Sequence, residues 1–499
     1  MTTLDSNTHA SAYAANPYLS DATRPVTEEV TAFDLPVLGT IPADLEGRWL
    51  RNGPNPIEAV DPTRHHWFLG DGMVHGLRLR GGKAEWYRNR YVRADHVAGV
   101  LGEEPPGGPA FGGRTAHGPN TNVGTFAGKT WAMVEAGGTP TELSYELDTI
   151  ARNDFEGTLQ GPFSAHPKFD PATGEMHAMC YAWPDLFTDR GLLLHYVVVG
   201  SDGRVSRTVE VPVDGMPMVH DMSLTPNWAL VYDLPVGVDL DVAAKGYPFP
   251  FAWNNDYPAR VGLLPRTGAN AYDPSAIVWC DVEPCYVFHP LNAYEDHAGR
   301  IVVDLCRYKR MMATDRLGPF GDAMPTLDRW TIDPARRTVA EERIDDRAHE
   351  FPRHDPRVGT REHRFGYTAG VVSLGTEAAP RFDHTGLYKT DYTTGTVSIH
   401  DVGGDKGAPS PCSSRRRIRP PKTTAGSCRW CTTAPPTPPN STSSTPPTST
   451  SRPSPSSLCP SESRSASTAT GAPTRRRPHP PADACAPTQA AAARSNTGG

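Results

Sequence analysis

The chain has 499 residues, with 49 Lys and Arg against 56 Asp and Glu, a formal charge of −7, and 21% charged residues. No long basic block occurs in the first 400 positions, so there is no electrostatic footprint for nucleic acid, and an anionic polymer is excluded as partner. Length alone would suggest roughly two to four domains, but large all-β architectures run this long as one unit, so pattern decides.

Met1 to about Val30 is polar and lacks the basic and apolar regions of a secretory signal. No apolar run reaches the length of a membrane span, and together these predict a soluble, cytoplasmic protein. Leu45 to Pro56 reads as a strand running into a Gly/Pro/Asn turn. His65 to His75 carries the turn Gly70-Asp71-Gly72 between two strand-like runs, read as structural, and Gly76 to Lys83 is a further alternating strand and hairpin. Leu192 to Val199 is the longest apolar run and reads as a buried strand.

Hairpin punctuation recurs at Asp170–Gly174, Asp333–Arg337 and Asp391–Gly395, while helical periodicity is nearly absent. Four of the nine cysteines (Cys180, Cys280, Cys285, Cys306) precede residue 400 and none of those forms a C-x-x-C pair, so neither a disulfide framework nor a thiolate zinc site is indicated there. Many short strands with tight turns predict a propeller, a pair of sandwiches or a large barrel.

Three histidines stand in strand-like apolar stretches: Ala165-His166-Pro167-Lys168, Val219-His220-Asp221-Met222 and Phe288-His289-Pro290-Leu291. Neutral imidazole is the commonest ligand for intermediate transition metals, so these predict a metal site assembled from distant segments. The histidines are 54 and 69 residues apart, about one four-stranded blade plus loops each, and a propeller would bring such segments together on its axis. His65, His66, His75, His177 and His195 are read as surface or core positions, because a lone histidine at a strand end is more often a hydrogen-bonded structural residue.

Residues about 31 to 406 resemble the carotenoid cleavage oxygenase family. The resemblance rests on Leu45 to Pro56, the Gly70-Asp71-Gly72-Met73-Val74-His75 turn, Glu135 after a strand, and the three histidine motifs, with His220-Asp221 and Phe288-His289-Pro290 the most distinctive. It implies an all-β, seven-bladed propeller over 31–406, preceded by an extended segment over 1–30. It also implies iron(II), Fe(2+), on the axis, held by four histidines, three of them His166, His220 and His289. Glu135 and Glu350 stand where the family places glutamates that accept the other ring N–H and fix the tautomer. A third such glutamate is not visible.

The implied activity is dioxygenase cleavage of a conjugated C=C bond in a carotenoid or apocarotenoid, giving two carbonyl products, with a hydrophobic polyene and O2 as partners. Peripheral membrane contact suits a lipid-soluble substrate, though no amphipathic helix stands out. Stilbene-cleaving members carry a lysine beside the glutamate near position 135; here that neighbour is Val134, which leans against a phenolic stilbene. The alternative from another class is a catalytically dead propeller that binds a hydrophobic ligand.

From about Gly407 to Gly499 the pattern breaks. This stretch holds 18 prolines, no valine and no phenylalanine, with Ile418 and Leu458 its only large aliphatics. It cannot bury enough apolar surface to offset chain entropy, which predicts a disordered Pro/Ser/Thr-rich tail and incomplete final blades. Codons built from the last base of each residue and the first two of the next accommodate E-D-D-G-W-V-L-P-L-V-Y over Pro421–Thr432, with valine forced where Trp430 meets Cys431. The same phase over Ser461–Gly471 accommodates R-V-P-F-G-F-H-G-N-W, which resembles the family's terminal histidine motif, the histidine codon straddling Ser467 and Thr468. The expectation is a reading-frame shift near Ser410 that removes the fourth histidine. His384, His400 and His479 are poor substitutes.

Overall fold

The computed structural model describes residues 13, 16–20, 23–111, 118–182, 192–376 and 379–401, together with three short strands at Cys412–Ser414, Gly426–Cys428 and Gly471–Ala472. Strands β1 (Thr31–Phe33), β2 (Gly47–Pro54), β3 (Gly72–Arg80) and β4 (Lys83–Tyr91) form a sheet in the order β1-β4-β3-β2, with the short strand Gly471–Ala472 paired to the outer edge of β2. Next come β5 (Asn122–Phe126), β6 (Lys129–Met133), β7 (Thr141–Leu143) and β8 (Thr149–Arg152), paired in sequence order. The same holds for β9 (Lys168–Phe169), β10 (Met176–Cys180), β11 (Leu192–Val199) and β12 (Val205–Val213).

The following sheet uses β13 (Met222–Leu224) and β14 (Trp228–Asp233). After a small two-stranded excursion, β15 (Val236–Val238) with β16 (Phe251–Trp253), it is completed by β17 (Arg260–Pro265) and β18 (Val278–Asp281). Then β19 (Tyr286–Glu295), β20 (Ile301–Tyr308), β21 (Thr326–Asp333) and β22 (Thr338–Arg353) pair in order. The sixteen-residue β22 serves two sheets: Thr338–Ala348 pairs with β21, and His349–Arg353 opens the next meander through β23 (Phe365–Thr376), β24 (Ala379–Asp391) and β25 (Thr396–Asp401).

All of these pairings are antiparallel. The leading strands stand beside one another, β2 next to β5, β9 next to β13, β13 next to β19 and β19 next to β22. The described chain is therefore nearly all-β and propeller-like. The expected last blade and the tail over 407–499 fall outside the described residues, the three short strands apart.

The hairpins expected at 170–174, 333–337 and 391–395 join β9 to β10, β21 to β22 and β24 to β25. The apolar run Leu192–Val199 is β11, with Val197 and Val199 fully buried. Two short helices were not expected, α1 (Asp95–Leu101) and α2 (Leu240–Ala244). Each is too short to show an apolar face, and they start and stop through local chemistry. Asp239 accepts the backbone N–H groups of Asp241 and Val242, and Gly102 closes the other helix at φ 70°. The N-terminal stretch includes a buried turn: Asn16 donates to the carbonyls of Pro62 and His65, and Tyr18 stacks on Trp67 at 5.1 Å. No helix among the described residues is long and apolar enough to cross a membrane.

Neighbouring sheets are joined by side-chain packing. Leu50, Val74 and Trp86 meet Val123, Ala132, Leu143 and Leu147, all buried, and each large side chain so buried stabilises by about 1.5–3 kcal/mol. The Gly70-Asp71-Gly72 turn makes this approach possible. Gly70 has φ 130°, and a Cβ on Gly72 would lie 2.0 Å from the carbonyl oxygen of Pro119, just ahead of β5. Gly72→Ala is expected to destabilise by about 3 kcal/mol through overpacking, read as a fall in the denaturant midpoint with unchanged m-value. A midpoint within error of wild type would show that the two sheets are free to part there.

Candidate metal centre

His166 precedes β9 by two residues, His220 precedes β13 by two, and His289 is the fourth residue of β19. Since leading strands line the axis, all three imidazoles converge. One ring nitrogen from each lies within 4.8 Å of the others, and all three residues are buried. Ring centroids are 4.2 Å apart for His166 and His220, 4.9 Å for His220 and His289, and 5.0 Å for His166 and His289. His289 reaches the axis through a register irregularity: the β19–β20 ladder slips between Val287 and Pro290, and Pro290 has no N–H to give it.

Two carboxylates set the tautomers. His220 Nδ1 is 2.6 Å from Glu135 Oε2, and His289 Nδ1 is 2.7 Å from Glu350 Oε2. Each Nδ1 must carry the hydrogen it donates, which leaves both Nε2 atoms as lone-pair acceptors. These atoms are 3.2 Å apart with no hydrogen between them, an arrangement that a shared cation relieves. His166 Nε2 is buried without a hydrogen-bond partner. Burial, with His220 and His289 beside it, holds the His166 imidazole well below its usual pKa, and burial likewise lowers His289 despite the opposing pull of Glu350. Neutral, deprotonated nitrogens are the form a metal takes.

The glutamates are held in turn. Glu350 also accepts the Tyr308 hydroxyl at 2.9 Å and the Phe351 backbone N–H. Burial alone would raise its pKa, but His289 and these donors outweigh it and hold the carboxyl below the usual value. Both glutamates precede a non-glycine residue in the left-handed region, Ala136 at φ 61° and Phe351 at φ 52°. That conformation costs roughly 1–2 kcal/mol per residue and is kept only where surrounding contacts impose it.

Sequence reasoning missed the tie between two of the motifs. Lys168, two residues after His166, donates to Asp221, next to His220, at 2.7 Å, and Asp221 also accepts the Met222 N–H at 2.6 Å. Lys168→Met would leave the 2%-exposed Asp221 carboxylate without its cation. We expect a loss of about 3 kcal/mol in chemical denaturation, with Lys168→Arg recovering part of it; an unchanged midpoint for Lys168→Met would show the pair to be dispensable. His65, His66, His75, His177 and His195 are all buried in the body rather than at this centre, with His75 bonded to Tyr87 and His177 to Tyr196.

The centre opens on a cavity of about 440 Å³. Trp67, Phe68, Phe249, Phe251, Phe288, Phe320 and Phe351 line it, with His220, His289, Glu135 and Glu350 at the metal-facing end and Val134 beside Glu135. Aromatic-rich His66-Trp67-Phe68 and Pro248-Phe249-Pro250-Phe251 were the legible signals for this wall.

Fold and site together define a propeller-like protein whose leading strands carry a buried trio of histidines, able to bind a metal, at the floor of an aromatic cavity. The family model described as RPE65, retinal pigment epithelial membrane protein, matches residues 23–415. The chain is 45% identical to the carotenoid cleavage oxygenase of Mycobacterium tuberculosis, covering 80% of this chain and 86% of that one, and 30% identical to the apocarotenoid-15,15'-oxygenase of Synechocystis, covering 73% and 77%. Among solved structures it is similar to the lignostilbene dioxygenase of Pseudomonas brassicacearum, with a TM-score of 0.70 and 26% identity over 83% of this chain and 88% of that one. It is also similar to the cobalt-substituted Synechocystis apocarotenoid oxygenase, with a TM-score of 0.69 and 25% identity over 84% and 90%. The chain belongs to the carotenoid cleavage oxygenase family, whose relatives are dioxygenases that incorporate O2.

Proposed function

We propose that the protein is an iron(II) dioxygenase cleaving a conjugated C=C bond of a carotenoid or apocarotenoid into two carbonyl products. The observation that carries this is the convergence of two carboxylate-anchored imidazoles and a third, unpartnered one at the floor of an aromatic cavity. His166, His220 and His289 hold the metal, and Glu135 and Glu350 keep the last two in the tautomer that offers Nε2. Bound there, iron(II) would supply the activation of dioxygen and alkene, and neutral nitrogen donors would leave its positive charge uncompensated. The chain's own part is to orient and to exclude. Trp67, Phe68, Phe249 and Phe288 surround an extended apolar substrate and keep water from the reacting bond.

A stilbene substrate is the second reading, since relatives include resveratrol cleavage oxygenases and the lignostilbene dioxygenase named above. Against it stands the cavity wall, where Val134 sits beside Glu135 and no lysine or arginine is among the described lining residues. The fold closes, in this reading, as a seven-bladed propeller whose last blade and fourth histidine are encoded in the shifted frame. The protein acts in the cytoplasm on a polyene drawn from lipid.

The test is anaerobic loading with Fe(II), removal of excess metal, and exposure to an apocarotenal and O2. We expect about one iron per chain and two shorter carbonyl compounds by mass spectrometry. A chain that retains no iron and cleaves neither polyene nor stilbene is the dead propeller.

A further inference from the structure

The polar atoms along the cavity differ in whether they have a hydrogen left to give. Asn120 donates both amide hydrogens to carbonyls, of Phe68 at 3.1 Å and Gly70 at 2.8 Å, and its Oδ1 accepts the Thr121 hydroxyl at 2.9 Å. Tyr308 donates to Glu350, and both cavity histidines donate through Nδ1. None of these groups has a further hydrogen for a ligand.

Trp67 also lines the cavity, and its Nε1–H has no partner among the described residues but is sealed off by packing, which leaves Tyr181, the residue after β10, as the donor that packing does not seal. Tyr181 lines the cavity at 5% exposure, with its ring set edge-on against Phe251 at 6.0 Å. Its hydroxyl has no hydrogen-bond partner among the described residues, yet it is not one of the buried oxygens that packing seals off without one. The hydroxyl is therefore not sealed by packing, on a residue that lines the cavity. Burial, reinforced by the nearby Glu135 carboxylate, raises the phenol well above its usual pKa, so the group keeps its proton.

Charge narrows what it can hold. Apart from the proposed metal at its floor, the wall carries Glu135 and Glu350 and no cationic side chain among the described lining residues. A carboxylate or phenolate end group held away from that metal would be stripped of water with only like charge from the glutamates near it. A neutral carbonyl or hydroxyl oxygen needs only one donor.

We propose that the Tyr181 hydroxyl donates to the single neutral oxygen, aldehyde or alcohol, at one end of the polyene, and so sets which double bond lies over the histidines. This rests on the polyene reading given under the proposed function. Anchoring one end in a cavity of fixed length converts a sliding substrate into one of defined register.

Tyr181→Phe removes one oxygen and keeps the ring against Phe251. Binding is read without turnover, anaerobically on the full chain, by quenching of tryptophan fluorescence, with Trp67 in the cavity wall as reporter. The ligands are a polyene aldehyde, the alcohol, the acid and the hydrocarbon of equal length. Wild type is expected to bind aldehyde and alcohol about tenfold more tightly than hydrocarbon, about 1.4 kcal/mol, and the acid most weakly. The variant is expected to bind aldehyde and hydrocarbon alike, at the wild-type hydrocarbon affinity.

A variant that keeps the aldehyde preference overturns the assignment, as does a wild type with no preference. Loss of hydrocarbon binding in the variant also overturns it, because the hydroxyl would then be shaping the cavity rather than meeting the ligand. A wild type that binds no polyene of any end group refutes the substrate class itself and takes the Tyr181 assignment with it.

Discussion

His220→Ala is expected to reduce bound iron from about one per chain to less than a tenth under anaerobic equilibration, a fall in metal affinity of more than 100-fold. His220 has the most to lose because it sits between the other two rings. Its Nε2 is 3.2 Å from that of His289, and its ring is 4.2 Å from that of His166. Removing it leaves two imidazoles and releases Glu135 into a buried site without its donor. Glu135→Gln separates the ligand from its support. The volume is kept, but the charge that favours the Nδ1–H tautomer is lost, and the expected fall is about 10–100-fold. Cobalt(II) titration followed by visible absorption measures both variants independently of turnover, and circular dichroism checks the fold. An alanine variant holding a full equivalent of metal with an unchanged spectrum would remove His220 from the ligand set.

The parts of this site that were readable from sequence share a property: they are local. His166, His220 and His289 each sit at a leading strand, and hairpin signals such as Asp170–Gly174 delimit those strands whatever the tertiary fold. The glutamates were readable only through family resemblance. Nothing in Met133-Val134-Glu135 or His349-Glu350-Phe351 distinguishes a buried acceptor from a solvated carboxylate until the strands are placed. The left-handed residues that follow them, Ala136 and Phe351, have side chains that ordinarily disfavour that conformation, so sequence points away from them.

Lys168 and Asp221 lie 53 residues apart and pair because two adjacent leading strands bring them together. His75 and His177 show the converse. Locally they resemble ligands, and only their bonds to Tyr87 and Tyr196 mark them as core. The cavity wall draws on loops far apart in the chain, which no single window of sequence contains.

Restoring the alternative frame after Ser410 is expected to be the largest single gain available to this protein. The first sheet has a second buried face besides the one packed on its neighbour: Trp49, Leu77, Leu79 and Ala84 form their own cluster with Leu35, Ile41 and Leu45 packed against it. In the seven-bladed reading the final blade would close beside this sheet, and residues 407–499 as written hold only Ile418, Leu458 and Trp430 as large aliphatic or aromatic side chains from which to build it. The shifted frame expected from the sequence accommodates such side chains, E-D-D-G-W-V-L-P-L-V-Y over one strand pair, and a histidine across Ser467 and Thr468. A fourth neutral nitrogen would add about 3 kcal/mol to metal binding, roughly 100-fold in affinity. Each large apolar residue buried in the closing blade would add about 1.5–3 kcal/mol to folding.

The two chains should therefore differ in thermal midpoint by well over 10 °C and in iron affinity by about two decades. Side-by-side expression with metal analysis and calorimetry measures both, and genomic sequencing from codon 395 onward shows which frame the gene carries. If the restored chain binds iron no more tightly and melts no higher than the chain as given, the shifted frame does not encode the missing blade, and the three histidines are the whole of the site.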